Sequence, residues 1–223
     1  MVACCVADIL RIFAPEAPYK DVSQIKTIFY FLIKQLGGLK DPKDPAFKRY
    51  FYLLENLAYV KSFNMCFDLE DFNEIFCALF SLMFKIVNDE HSGKVKNFML
   101  DVLVPLITEA DFVSNELLDI ILINAVEPYK TQRRNAYGLA KDLVAKTSDT
   151  LAPYIQQFFN QILILGKADA DVSLVWKCYD YKSVFNNVCH KMFSVVHLQQ
   201  SLRLDLRAEH YLAFNPVGDL TSA

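Results

Sequence analysis

Only six glycines and eight prolines punctuate the chain. Such sparse punctuation argues against a turn-rich sheet protein and for helices. A basic surplus is missing as well. The formal net charge of the 223 residues is −3, so the whole chain is no nucleic-acid footprint and any phosphate contact must be local. Long apolar runs are absent. The densest, Ile75–Phe84, has ten residues, and a membrane span needs about 20. The N-terminus MVACCVADILRIF has no basic leader and is interrupted by Asp8 and Arg11, which excludes a signal peptide. The expectation is a soluble, non-secreted protein.

Paired cysteine spacing is also missing. Cys4, Cys5, Cys66, Cys77, Cys178 and Cys189 sit in apolar runs without a Cys-x-x-Cys. They read as reduced, buried thiols of a cytosolic or nuclear protein. Zinc on Cys178, Cys189, His190 and His197 is the competing reading, and without paired spacing no metal site is expected. The chain has no nucleotide-binding glycine loop, no His-Glu-x-x-His and no Gly-x-Ser-x-Gly. Its four histidines, His91, His190, His197 and His210, share no helical face with a carboxylate. Neither an enzyme nor a cofactor is expected.

What the chain has is apolar mass: 53% apolar residues, with 18 Phe and 11 Tyr. Large rings fill the gaps between stacked helices. The stretch Lys94–Ile107 places Val95, Phe98, Met99, Val102, Leu103, Leu106 and Ile107 on one face of a 3.6-residue helix. Similar stripes predict helices over Val2–Phe13, Gln24–Leu36 (capped by Ser23 and ended by Gly37-Gly38), Phe47–Lys61 and Leu69–Val87 (capped by Asp68). Others follow over Asn115–Val126 (capped by Ser114 and closed by Pro128), Thr131–Thr147 and Leu151–Leu165 (capped by Thr150). Phe98, Val102, Leu103, Phe158 and Ile162 are the expected core.

Taken in pairs, the second helices open near Lys48, Lys94 and Arg133, 46 and then 39 residues apart. Helix pairs repeating every 40–47 residues or so suit a HEAT/armadillo stack. A single irregular bundle is the alternative. The fold class expected is all-α, a HEAT/armadillo-like helical-repeat solenoid. After Ala168 the helical spacing becomes patchy, clearest around Val184–Leu198, so residues 168–223 are expected to be a divergent tail, partly helical or disordered.

Four stretches resemble one family in order and spacing. They are VACCVADILRIFAPEAPY (2–19), RYFYLLENLAYVKSFNMCFDLEDFNEIF (49–76), ELLDIILINAVEPYK (116–130) and FFNQILILGK (158–167). All are similar to the N-terminal region of the cohesin regulator named for precocious dissociation of sisters. The resemblance covers residues 2–167 and makes 1–167 the repeat region. It implies a non-catalytic scaffold, nuclear and chromosome-associated. Such a scaffold docks the cohesin kleisin, the wings-apart-like releasing factor and its antagonist sororin, and so regulates sister chromatid cohesion. Family members are several times longer, so the chain reads as a truncated solenoid whose end helices expose apolar faces. A generic helical-repeat adaptor in trafficking or transport is the second reading.

Two sites are expected. Ala14, Pro15, Glu16, Ala17, Pro18 and Tyr19 form an extended, two-proline corner, because each proline biases the preceding residue away from the helix. By itself this is a stiff inter-helix corner. The resemblance makes it a partner-binding site, with Glu16 pairing a basic residue and Tyr19 packing on the incoming peptide. Lys48, Arg49, Lys94, Lys96, Arg133 and Arg134 open the second helices of the pairs. They are either solvated turn residues or a basic ridge for an acidic peptide, an inositol phosphate or a DNA backbone.

Overall fold

A computed structural model describes residues 1–157 except Ala17, Lys20 and Val126; the side chains of Glu127, Pro128 and Tyr129 are likewise outside the description. Among the described residues there is no strand. The helices are α1 (Val2–Phe13), α2 (Val22–Leu36), α3 (Phe47–Tyr59), α4 (Phe72–Ile86), α5 (Gly93–Leu103), α6 (Pro105–Thr108), α7 (Asn115–Asn124), α8 (Glu127–Gln132) and α9 (Arg134–Lys146). Residues 148–157 are helical as well.

The helices form two layers. In one, α1 packs on α3, α3 on α5 and α5 on α9; in the other, α2 packs on α4 and α4 on α7. Apolar faces at helical spacing meet between the layers, and Phe29, Phe63, Phe76, Phe80, Phe84, Leu54 and Leu57 are fully buried there. This is an all-helical repeat solenoid, each pair contacting its neighbours.

Polar ties mark the repeat directly. Lys26 reaches Asp71 at 2.7 Å, Tyr52 reaches Asp8 at 2.8 Å, and Lys61 reaches Glu109 at 2.6 Å. Asn135 reaches Asp89 at 2.8 Å. Partners in such ties lie 39 (Lys94 and Glu55) to 52 (His91 and Leu39) residues apart in sequence. Each tie therefore spans about one helix pair.

Several local expectations are corrected. Asp21, not Ser23, caps α2, its carboxylate accepting from the Ser23 N–H at 3.0 Å. α2 does end at Leu36, before Gly37-Gly38, and the two glycines then open a 3₁₀ turn over Gly37–Lys40. No described glycine has positive φ. Gly38 serves close approach instead, because a Cβ there would overlap the Tyr50 ring. Asp71, not Asp68, stands before α4, after a 3₁₀ segment over Ser62–Cys66.

The stripe Lys94–Ile107 is two helices. Pro105 has no N–H and clashes with the carbonyl four residues back, so α5 ends and α6 starts with Pro105 at its first position. Leu106 and Ile107 still reach the core. Pro128 lies inside α8, and the helix expected over Thr131–Thr147 breaks at Arg133. The last described helix starts before Thr150. Ser114 does cap α7, accepting from the Leu117 N–H at 3.1 Å.

Val102 and Leu103 are buried as expected. Phe98 is only partly so, its ring standing edge-on to Phe51 at 5.7 Å. Phe158, Ile162, the cysteine–histidine cluster at 178–197, the Val184–Leu198 helix and the tail from 168 lie outside the described residues. The face expected to be bare on the first helix, Val6, Ile9, Leu10 and Phe13, is only partly so: Leu10 is fully buried and Val6 half-buried, while Ile9 and Phe13, with Val2 and Ile12 beside them, project into solvent, Ile12 at 73% exposure.

Candidate functional site

The corner follows α1 directly. Pro15 forces Ala14 out of the helical region, and Ala14 sits at φ −52, ψ 140. Pro15 and Glu16 are exposed, as expected of an outward-facing corner. Ala14 and Tyr19 instead pack against the core cluster, and Pro18 is half-buried. Tyr19 thus anchors the corner while Glu16 presents its carboxylate. Ala17 lies outside the described residues.

Because the layers alternate, turns of one kind share one edge of the stack. The corner shares its edge with residues 60–71 and 109–114, where Lys26 meets Asp71 and Lys61 meets Glu109. The hydrogen bond that the Lys26 ammonium donates to the Asp71 carboxylate holds its pKa above the usual lysine value.

The opposite edge carries the six basic residues, since α3, α5 and α9 pack in order. Lys48, Arg49 and Arg134 are exposed there. The other three hold neighbouring helices together. Lys94 lies 3.3 Å from Glu55 and 5.2 Å from the Phe51 ring centroid. Lys96 donates to Asn135 at 3.1 Å, and the Arg133 guanidinium donates to the Phe84 carbonyl at 3.1 Å. Topology brings the cations to one edge, and half of them serve the stack itself.

Sequence reasoning did not find a groove of about 340 Å³ across the ends of α3, α5 and α9. Tyr59, at 82% exposure, and Phe98 wall it, with Lys61, Asp101 and Lys146 at its rim. Lys61 is left-handed at φ 50, a conformation uncommon for a residue with a Cβ. The one hint in the sequence was a tyrosine off both apolar stripes of its helix. Among the described residues no group of His, Cys, Asp or Glu could hold a metal ion, and no helix is long and apolar enough to cross a membrane. Burial raises the Cys66 thiol far above its ordinary pKa, which makes it inert packing. The surfaces described here present side chains for contact.

Known proteins share this sequence and fold. The family model for sister chromatid cohesion protein PDS5 matches residues 1–223. Sister chromatid cohesion protein PDS5 homolog B of Homo sapiens is 53% identical over 167 residues, 75% of this chain and 12% of the relative. PDS5 homolog A of Gallus gallus is 54% identical over 168 residues, 75% of this chain and 13% of the relative. The chain spans about an eighth of the length of the curated relatives it matches. Among solved structures, that of the Pds5-Scc1 complex superposes with a TM-score of 0.65 at 22% identity, covering 85% of this chain and 31% of that one. This likeness establishes the fold. With the family model matched from end to end, the chain belongs to the PDS5 family of sister chromatid cohesion proteins.

Proposed function

We propose that this chain is a non-catalytic, protein-binding scaffold that regulates cohesin on chromosomes. The match of the PDS5 family model to residues 1–223 carries that reading. Relatives named for sister chromatid cohesion support it, as does a fold shared with the Pds5 of a Pds5-Scc1 complex. On this reading the stack docks the cohesin kleisin, resides in the nucleus and reaches chromatin through cohesin. Residues 1–167 are its repeat region and 168–223 a divergent tail, partly helical or disordered.

The corner Ala14–Tyr19 is the proposed dock for the wings-apart-like releasing factor and the sororin-type antagonist. Glu16 is the charged contact, and Tyr19 holds the corner's shape. The basic edge is a weaker second site for an acidic segment or phosphate, resting first on Lys48, Arg49 and Arg134, because Lys94, Lys96 and Arg133 are engaged with neighbouring helices.

Co-precipitation of the full chain with purified kleisin fragments and with releasing-factor and sororin peptides tests the proposal. Retention of the kleisin is expected, along with peptide binding that Glu16→Arg abolishes. Failure to retain any of the three overturns the scaffold reading. Peptide binding unchanged in Glu16→Arg overturns the corner.

A further inference from the structure

A second surface lies on the same edge as the corner but uses other residues. Phe67, Phe72, Phe76 and Phe112 form an aromatic cluster in which Phe72 meets Phe112 edge-to-face at 5.3 Å and Phe67 at 6.1 Å. Phe76 is buried and roots the cluster in the core. Phe112 is 50% exposed, and Phe67 and Phe72 are half-buried. Burying a ring on one side and wetting it on the other forgoes part of its hydrophobic stabilisation, and exposed aromatic clusters mark contact surfaces.

Carboxylates flank these phenylalanines in sequence. Asp71 is paired with Lys26, and Glu116 accepts from Asn73 at 2.9 Å. Asp71 and Glu116 also lie at the starts of α4 and α7, where the helix dipole accounts for them. Asp68, Glu70 and Asp111 are different. Each lies within two residues of a cluster phenylalanine, all three are exposed, and their carboxylates have no hydrogen-bond or ion-pair partner among the described residues. None stands in the first turn of a helix. Carboxylates gathered this way repel one another, an arrangement that a cationic ligand relieves.

We propose that the Phe112 patch docks a basic segment of a protein partner: a bulky apolar side chain on Phe72 and Phe112, with flanking Arg or Lys on Asp68, Glu70 and Asp111. Anionic lipid and nucleic acid are repelled by the same carboxylates. The chain's own residues 158–223 carry six acidic and six basic side chains, so as a whole they bring no surplus of positive charge.

The test is fluorescence anisotropy of the full chain with a labelled 12-residue probe, a central Trp-Leu flanked by arginines, against the same peptide with glutamates. The arginine probe is expected to bind, weakening as salt rises, and the glutamate probe to give no signal. Phe112→Ser, and separately the triple change Asp68→Asn, Glu70→Gln, Asp111→Asn, should each weaken binding about fivefold or more. Phe112→Leu should retain it, and Glu16→Arg at the corner should leave it unchanged. Circular dichroism confirms that each variant is folded. No binding of the arginine probe overturns the proposal. So does a folded Phe112→Ser chain that binds normally, which would mean non-specific charge attraction alone.

Discussion

The Nε2 of His91 lies 2.7 Å from the carbonyl oxygen of Leu39, joining the turns of two successive repeats. On the other side of the ring the Asn88 N–H lies 3.4 Å from Nδ1. Nδ1 is therefore the acceptor, and the neutral ring carries its proton on Nε2, donating to Leu39. The imidazole is 5% exposed and faces the Phe47 ring at 6.3 Å.

This arrangement makes stability depend on pH. Burial lowers the His91 pKa, the Leu39 carbonyl opposes that shift, and Lys96 adds to it. A base depressed in the folded state leaves the unfolded chain holding more protons below the ordinary value of about 6.5. Stability from His91 is thus complete above about pH 6.5, declines as pH falls toward the folded pKa and levels off beneath it. The slope is at most about 1.4 kcal/mol per pH unit. Urea melts from pH 8 downward should show this decline in the parent chain and a flatter profile in His91→Gln. Parallel profiles would rule His91 out.

Gly38→Ala should destabilise by about 1–3 kcal/mol, because the new methyl meets the Tyr50 ring. Tyr50→Ala removes the obstacle. The double variant should therefore be more stable than the sum of the single losses allows. Strict additivity in denaturant melts would place the clash elsewhere.

The half-buried Phe98 should matter less than its position on the stripe suggests. Phe98→Ala is expected to cost about 1–2 kcal/mol, through partial burial and the Phe51 edge contact. Leu103→Ala, with no exposure, should cost about 2–5 kcal/mol. The order of the two in thermal melts is the check.

The two serine caps should differ. Ser114 accepts from Leu117 N–H at 3.1 Å and also donates to Asn73 across the repeat interface, whereas Ser92 reaches Val95 N–H at 3.5 Å. Ser114→Ala should cost about 1–2 kcal/mol and Ser92→Ala about 0.5 kcal/mol. Equal losses would mean that the Asn73 bond adds nothing.

Helix existence was readable because apolar spacing survives local irregularity. The face built on Val95 and Met99 continues through Leu106 although Pro105 divides the helix. Boundaries were harder. Ser23 and Asp21 are both good caps by residue type, and only backbone conformation separates them. Gly37-Gly38 does mark the end of α2, but without left-handed backbone; Gly38 instead makes room for Tyr50, which arrives from the next helix. The corner was visible through its two prolines. The groove at Tyr59 and the patch at Phe112 were not, since each is assembled from side chains of different repeats and depends on how the turns meet.

The ties between residues 39 to 52 apart also govern how the molecule yields to force. A pull on one end is handed from interface to interface, each bearing the same load across its own few contacts. Compliance is then shared along the described stack. Small rotations add in sequence, so the distance between two surfaces several repeats apart is a sum of angles. A ligand that stiffens one interface would thereby change the reach of the next surface without touching it.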